Sequence, residues 1–150
     1  MVGGEAVAAR YIPGFHHLLL FDGQCNLCNA SVDFVLRFDT QRRFVFCAQQ
    51  SPAAAEALHE LGHVLPPLGS EDDSVLLLAA DGELYEGSTA ALHAGAALSW
   101  PLSWLALLGL AVPSPLRDAT YRFVGRRRYV WFGRSDTCRL PTPAERLRFL

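Results

Sequence analysis

The chain has 150 residues, a net charge of −2 and four cysteines: enough length for one domain with its own core, and too few cysteines for a disulfide-stapled secreted framework. All 13 basic residues are arginine, which excludes lysine-based nucleophiles and Schiff bases. The charge is lopsided, with four arginines against 12 acids in residues 1–100 and nine arginines against three acids in residues 101–150.

Residues 1–14 are expected to be a mobile start. Glu5 and Arg10 interrupt the apolar core that an export signal would need, so the expected address is the cytoplasm, where thiols rest reduced. His16–Phe21 is short, apolar and ended by the Asp22-Gly23 turn, the pattern of a buried strand. A helix is predicted from Cys25 to Phe38, because Leu27, Ser31, Phe34, Val35 and Phe38 recur at steps of three and four. Arg43–Ala48 reads as the second strand. Ser51-Pro52, a cap residue followed by proline, opens a helix to Leu61 that stops at Gly62. After the loop marked by Pro66, Pro67 and Gly69, Ser74–Ala79 and Glu83–Glu86 flank Ala80-Asp81-Gly82 as a hairpin, with a helix over Ser88–Leu98. Two more helices follow, and Thr142-Pro143-Ala144-Glu145 opens a short last one. Residues 15–150 thus predict a single α/β domain with a thioredoxin-like core: β-α-β, then a β-hairpin and helix, in a four-stranded mixed sheet with additional C-terminal helices.

Cys25 and Cys28 stand three residues apart where a strand hands over to a helix. Two thiols at that spacing close a small disulfide ring, and a helix N-terminus stabilises a thiolate. Helical phase separates them: Asn29 and Asp33 continue a polar, solvent-facing stripe from Cys25, whereas Val32 and Val35 continue an apolar side from Cys28. Exposure and helix-terminal position make Cys25 the expected nucleophile and Cys28 the resolving thiol. Asp22 is expected to hold the loop through backbone N–H bonds, with proton transfer to or from a thiol as its alternative role. Such a site works through the cysteine pair without another cofactor, on a protein or small-molecule disulfide and with a thiol reductant as its second partner. Zinc ligation is the rival use of the pair. It needs two further ligands, and neither Cys47 nor Cys138 belongs to a second Cys-x-x-C, although His16 and His17 are close in sequence. Read singly, Cys47 and Cys138 are small buried hydrophobes.

Three other features call for functions that the sequence argues against. Leu98–Val112 is strongly apolar, but Pro101, Gly109, Pro113 and Pro115 leave too short a run to span a bilayer, so core packing is favoured over membrane-surface contact by Trp100 and Trp104. Arg126-Arg127-Arg128 resembles a nucleic-acid patch without any accompanying binding motif, and no nucleic-acid partner is expected; pairing with the acidic first hundred residues is the simpler use. His59-Glu60-Leu-Gly-His63 matches the metalloprotease pattern literally, yet Gly62 lies inside it where the helix should end.

Phe21-Asp-Gly-Gln-Cys-Asn-Leu-Cys28 resembles the signature of the DCC family of thiol-disulfide oxidoreductases, named for Asp-x-x-Cys-x-x-Cys. The resemblance continues through Gln50-Ser51, Asp73–Leu78, Gly87–Ala90, Arg117-Asp118 with Tyr121, Arg128-Tyr129, Trp131–Arg134 and Asp136–Pro141. It implies a thioredoxin-like fold and dithiol exchange carried by Cys25 and Cys28, with Asp22 as the third motif position. Where ordinary thioredoxins have a cis-proline before the third strand, this chain has Asp73-Ser74, a departure that puts their substrate-docking surface in question here. Cys138, within the resembling tail, is a candidate auxiliary redox thiol or ligand. The competing functions are a zinc-binding or non-catalytic thioredoxin-like interaction module and a membrane-associated dithiol electron carrier.

Overall fold

The computed structural model describes residues 14–63, 74–133, 142–143 and 146–149. Residues 1–13 of the expected mobile start, Asp73, Cys138 and the Ala144-Glu145 half of the last capping box lie outside them. The elements run β1 (His17–Phe21), α1 (Asn26–Phe38), β2 (Phe44–Ala48), α2 (Pro52–Glu60), β3 (Leu76–Leu78), β4 (Leu84–Glu86), α3 (Gly87–Ala96), α4 (Leu102–Leu110) and α5 (Ser114–Phe132), with a 3-10 turn at Arg146–Arg148.

The sheet order is β2-β1-β3-β4. β1 runs parallel to β2 and antiparallel to β3, so Leu19 pairs with Phe46 on one side and Leu77 on the other, and β4 returns antiparallel to β3. A parallel neighbour requires a crossover, which α1 supplies. Leu18–Phe21 and Phe44–Cys47 are buried throughout, as strands covered on both faces must be. Alternate residues therefore serve two cores. Leu19, Phe21, Phe44, Phe46 and Leu77 meet Val32 and Val35 of α1 and Ala90 and Ala94 of α3; Leu18, Leu20, Val45, Cys47 and Leu76 meet Ala54 and Leu58 of α2. This is the expected thioredoxin-like core, and α4, α5 and the 3-10 turn are the additional C-terminal helices.

Local chemistry moves several boundaries. α1 begins at Asn26 because Cys25 has extended backbone and acts as its cap. Ser51 occupies the cap position of α2 without a side-chain cap bond, because its hydroxyl meets the Cys47 sulfur at 3.1 Å. α3 starts directly after β4, at Gly87 with φ +63°, a left-handed value that glycine accepts without steric cost. In the last segment Phe149 bridges to Phe46, and Arg148 binds Asp39.

The apolar stretch before α5 is core on one face only. Ala106 packs on Gly95 of α3 so closely that a Cβ there would stand 3.0 Å from the Ala106 methyl. Trp100, Trp104, Leu105 and Leu108 point outward. No helix among the described residues is long and apolar enough to cross a membrane.

Candidate dithiol site

β1 ends at Phe21 and the chain turns through Asp22-Gly23-Gln24 into the cap of α1. At that cap the Cys25 sulfur does what a serine or aspartate oxygen usually does: it accepts the Cys28 backbone N–H, at 3.5 Å. The Cys28 thiol also donates to the Cys25 sulfur, and this bond, the Cys28 amide and the Arg128 guanidinium together outweigh burial and lower the Cys25 pKa to about 6. Cys28 moves the opposite way. Its proton is held by the hydrogen bond to Cys25, with burial and the Cys25 charge adding to the shift. One sulfur is thus poised as thiolate and the other as thiol.

Exposure runs opposite to the sequence expectation. Cys25 is fully buried, whereas Cys28 is partly exposed and its apolar side rests on the α1 face of the core. Helical phase did not apply to Cys25, because a cap residue lies outside the helix. The end of α5 binds the residue next to it: the Asn26 amide donates to the Gly133 carbonyl at 3.3 Å, and Asn26 Nδ2 donates to the Phe132 carbonyl at 2.9 Å. Gly133 has φ +86°, and a Cβ there would come within 2.9 Å of Asn26 Nδ2.

Asp22 is 3% exposed and engaged on both oxygens. Its Oδ1 accepts from the Gln24 amide at 3.0 Å and from Gln50 Nε2 at 2.6 Å. Its Oδ2 accepts from the Tyr129 hydroxyl and from the Arg128 guanidinium at 3.3 Å. Its carbonyl accepts the Cys25 amide at 3.2 Å. Gln50 Oε1 also receives the Gly23 amide, and Asn29 Nδ2 donates to the Gly23 carbonyl. Asp22 therefore holds the loop, as expected, and in addition binds α5 to it. The Tyr129 hydroxyl is raised to about 12 by burial and by its bond to the carboxylate, so it remains a donor.

α5 reaches the loop because it is tied down along its length. Asp118 accepts from the Ser88 hydroxyl at 2.5 Å, and the Tyr121 hydroxyl receives the Val75 amide at 3.1 Å. Among the described residues, Arg128 and Arg148 meet acids of the first hundred residues, Asp22 and Asp39.

Other residues singled out in the sequence take different places. Ser74 is half-buried beside β3, and its carbonyl accepts from Gln49 Nε2 at 2.8 Å. The cis X-Pro bond among the described residues is Trp100-Pro101, ahead of α4 rather than beside β3. Cys47 is buried, and burial raises its thiol pKa. His17 Nδ1 accepts the Ala80 amide, and no group of three or more His, Cys, Asp or Glu among the described residues is placed to hold a metal ion. α2 ends at Glu60, and Gly62 at φ +68° follows, so His63 does not continue the helix that carries His59. Arg128, Tyr129, Gln50 and Asn26 were not singled out as site residues. All four lie within segments that carried the family resemblance, but only the fold shows that those segments meet.

The chain is 38% identical over 136 residues to the uncharacterized protein YuxK of Bacillus subtilis, covering 90% of this chain and 94% of that one. It is 37% identical over 123 residues to a chloroplastic DCC family protein of Arabidopsis thaliana, covering 82% of this chain and 69% of that one. No solved structure matches it. The family model for DCC1-like thiol-disulfide oxidoreductases matches residues 19–134, from within β1 to just beyond the α5 end that binds Asn26. With the dithiol, its aspartate and the helix that binds them all inside that span, the chain belongs to the DCC1-like thiol-disulfide oxidoreductase family.

Proposed function

We propose that the protein reduces or exchanges disulfides through Cys25 and Cys28, with Cys25 attacking and Cys28 resolving. The observation that carries this reading is the polarised pair at the cap of α1: one sulfur receives two hydrogen bonds and a cation's field, and the other holds its proton. The Cys25 thiolate attacks one sulfur of the substrate disulfide, forming a mixed disulfide and expelling the other substrate sulfur as a thiolate, which takes a proton. Attack removes the negative charge from Cys25. The hydrogen bond and the charge that kept Cys28 protonated are then gone, so Cys28 loses its proton and attacks the Cys25 sulfur. The second substrate thiol leaves, and the enzyme disulfide takes two electrons back from a thiol reductant. The pair needs no further cofactor. In a reducing compartment such as the cytoplasm it rests as the dithiol and works as a reductase.

Asp22 serves here as an anchor that orients Arg128 and Tyr129 and fixes the loop; its role in proton transfer would have to act through groups already bonded to it. The test is a trap. Cys28→Ser should accumulate a mixed disulfide with a model disulfide substrate, Cys25→Ser should form none, and Cys47→Ser should turn over like the parent. Covalent adducts that persist in Cys25→Ser would overturn the assignment.

A further inference from the structure

We propose that the outer face of α4, continued by the arginines of α5, docks the protein on an anionic lipid bilayer. α4 is apolar on all sides, and burial alone distinguishes its faces. Ala106 packs on α3, while Trp100 is 74% exposed, Trp104 62%, Leu105 62% and Leu108 65%, and Val112 after α4 and Leu116 in the first turn of α5 are exposed as well. Single exposed leucines need no explanation, but a contiguous run that includes two tryptophans marks an interaction surface. Between Gly87 and Leu116 the sequence holds no ionisable side chain except His93.

The charge of the adjoining helix selects the occupant. Residues 87–133 contain five arginines against one acid, Asp118. Asp118 is engaged by Ser88, Arg117 is half-buried on the Val112 carbonyl and the Thr89 hydroxyl, and Arg128 is buried on Asp22, which leaves Arg122, Arg126 and Arg127 exposed on α5. Arg127 lies 4.7 Å over the Phe123 ring and 5.7 Å from Trp131, so cation and aromatic surface are presented together. Tryptophan and leucine beside arginine is the composition of a helix lying in the headgroup region. At nine residues α4 is about 14 Å long, less than half the roughly 30 Å hydrocarbon core, so it lies on the bilayer and does not cross it. A second copy is a poorer occupant. A two-fold contact through this face would add the basic charge of one α5 to that of the other, with no acid from the region to offset it.

Flotation of the full-length chain with vesicles tests this. The protein should float with vesicles containing phosphatidylglycerol in phosphatidylcholine, and at least tenfold less with phosphatidylcholine alone or in high salt. Its tryptophan emission should shift to the blue on anionic vesicles and be quenched by brominated acyl chains. Trp104→Ser with Leu108→Ser, and separately Arg122→Gln with Arg126→Gln and Arg127→Gln, should each reduce flotation at least tenfold while leaving reduction of a soluble disulfide unchanged. The proposal fails if the parent protein does not float and its emission does not move, or if the double serine variant floats as the parent does. It also fails if the parent sediments as a dimer that the double variant converts to a monomer, since a second copy then covers the face.

Discussion

Cys25 owes its low pKa to the groups that bind its sulfur and not to contact with water. Carboxyamidomethylation of the reduced protein should therefore rise about tenfold per pH unit and level off above about pH 6, well below the ordinary thiol range. Removing the cation in Arg128→Met should move that inflection upward, because one of the influences that favours the thiolate is lost. Asp22 makes a different prediction. Its side chain is 2% exposed and the Arg128 side chain 6%, so Asp22→Ala leaves a buried guanidinium without its carboxylate and should cost about 3 kcal/mol or more in urea unfolding. A proton-carrying Asp22 would show instead as slower turnover at nearly unchanged stability. The residue-scale chemistry was legible only in part. Cys-x-x-C after a strand pointed to a capped dithiol, but which thiol is covered depends on Asn26 meeting Phe132 and Gly133, a contact across 106 residues for the Asn26 side chain that periodicity cannot register.

At the scale of elements, two close approaches between helices depend on glycine. Gly133→Ala would force a side chain into the left-handed region and against Asn26. It should loosen the end of α5 from the head of α1, so Cys25 should be alkylated faster above its inflection in that variant, read as a rise in the plateau rate. Gly95 plays the corresponding part between α3 and α4. Gly95→Val would press on the Ala106 methyl, which has no rotamer to escape into, and should destabilise the fold by about 1–3 kcal/mol, measured by thermal unfolding. The strands and α1 to α3 were readable because each carries a single apolar face or a continuous apolar run between turn residues. α4 was not readable in the same way. A helix that is apolar all round gives no sign of which side meets the core, so Trp104 and Leu105 look like Leu102 until α3 is in place.

For the molecule as a whole, redox state and stability are linked through Cys25. Its folded pKa lies below that of the unfolded chain, so the thiolate adds stability that is fully present above the unfolded value and disappears as pH falls through about 6. The disulfide form lacks this contribution. The reduced protein should unfold at a higher urea concentration than the oxidised protein near pH 8, and the gap should narrow toward pH 5; Cys25→Ser, which cannot form the disulfide, should lack the reduced protein's gain in stability between pH 5 and pH 8. The strand directions within each pair followed from connectivity, since a crossover helix makes β1 and β2 parallel and the Ala80-Asp81-Gly82 turn makes β3 and β4 antiparallel, but the placing of β1 between β2 and β3 did not. The docking of α5 did not either, because it rests on Ser88, Val75 and Asp22 each finding a partner on one distant helix.

That distance has a consequence for how the protein is made. The ribosome delivers Cys25 and Asp22 more than a hundred residues before Arg128, Tyr129 and Gly133. Until α5 emerges, the Asp22 carboxylate beside the thiol pair lacks its Arg128 and Tyr129 partners. A nascent chain stalled before residue 128 therefore carries a Cys25 without the Arg128 charge that helps to lower its pKa, and the site is completed late in synthesis, when α5 docks.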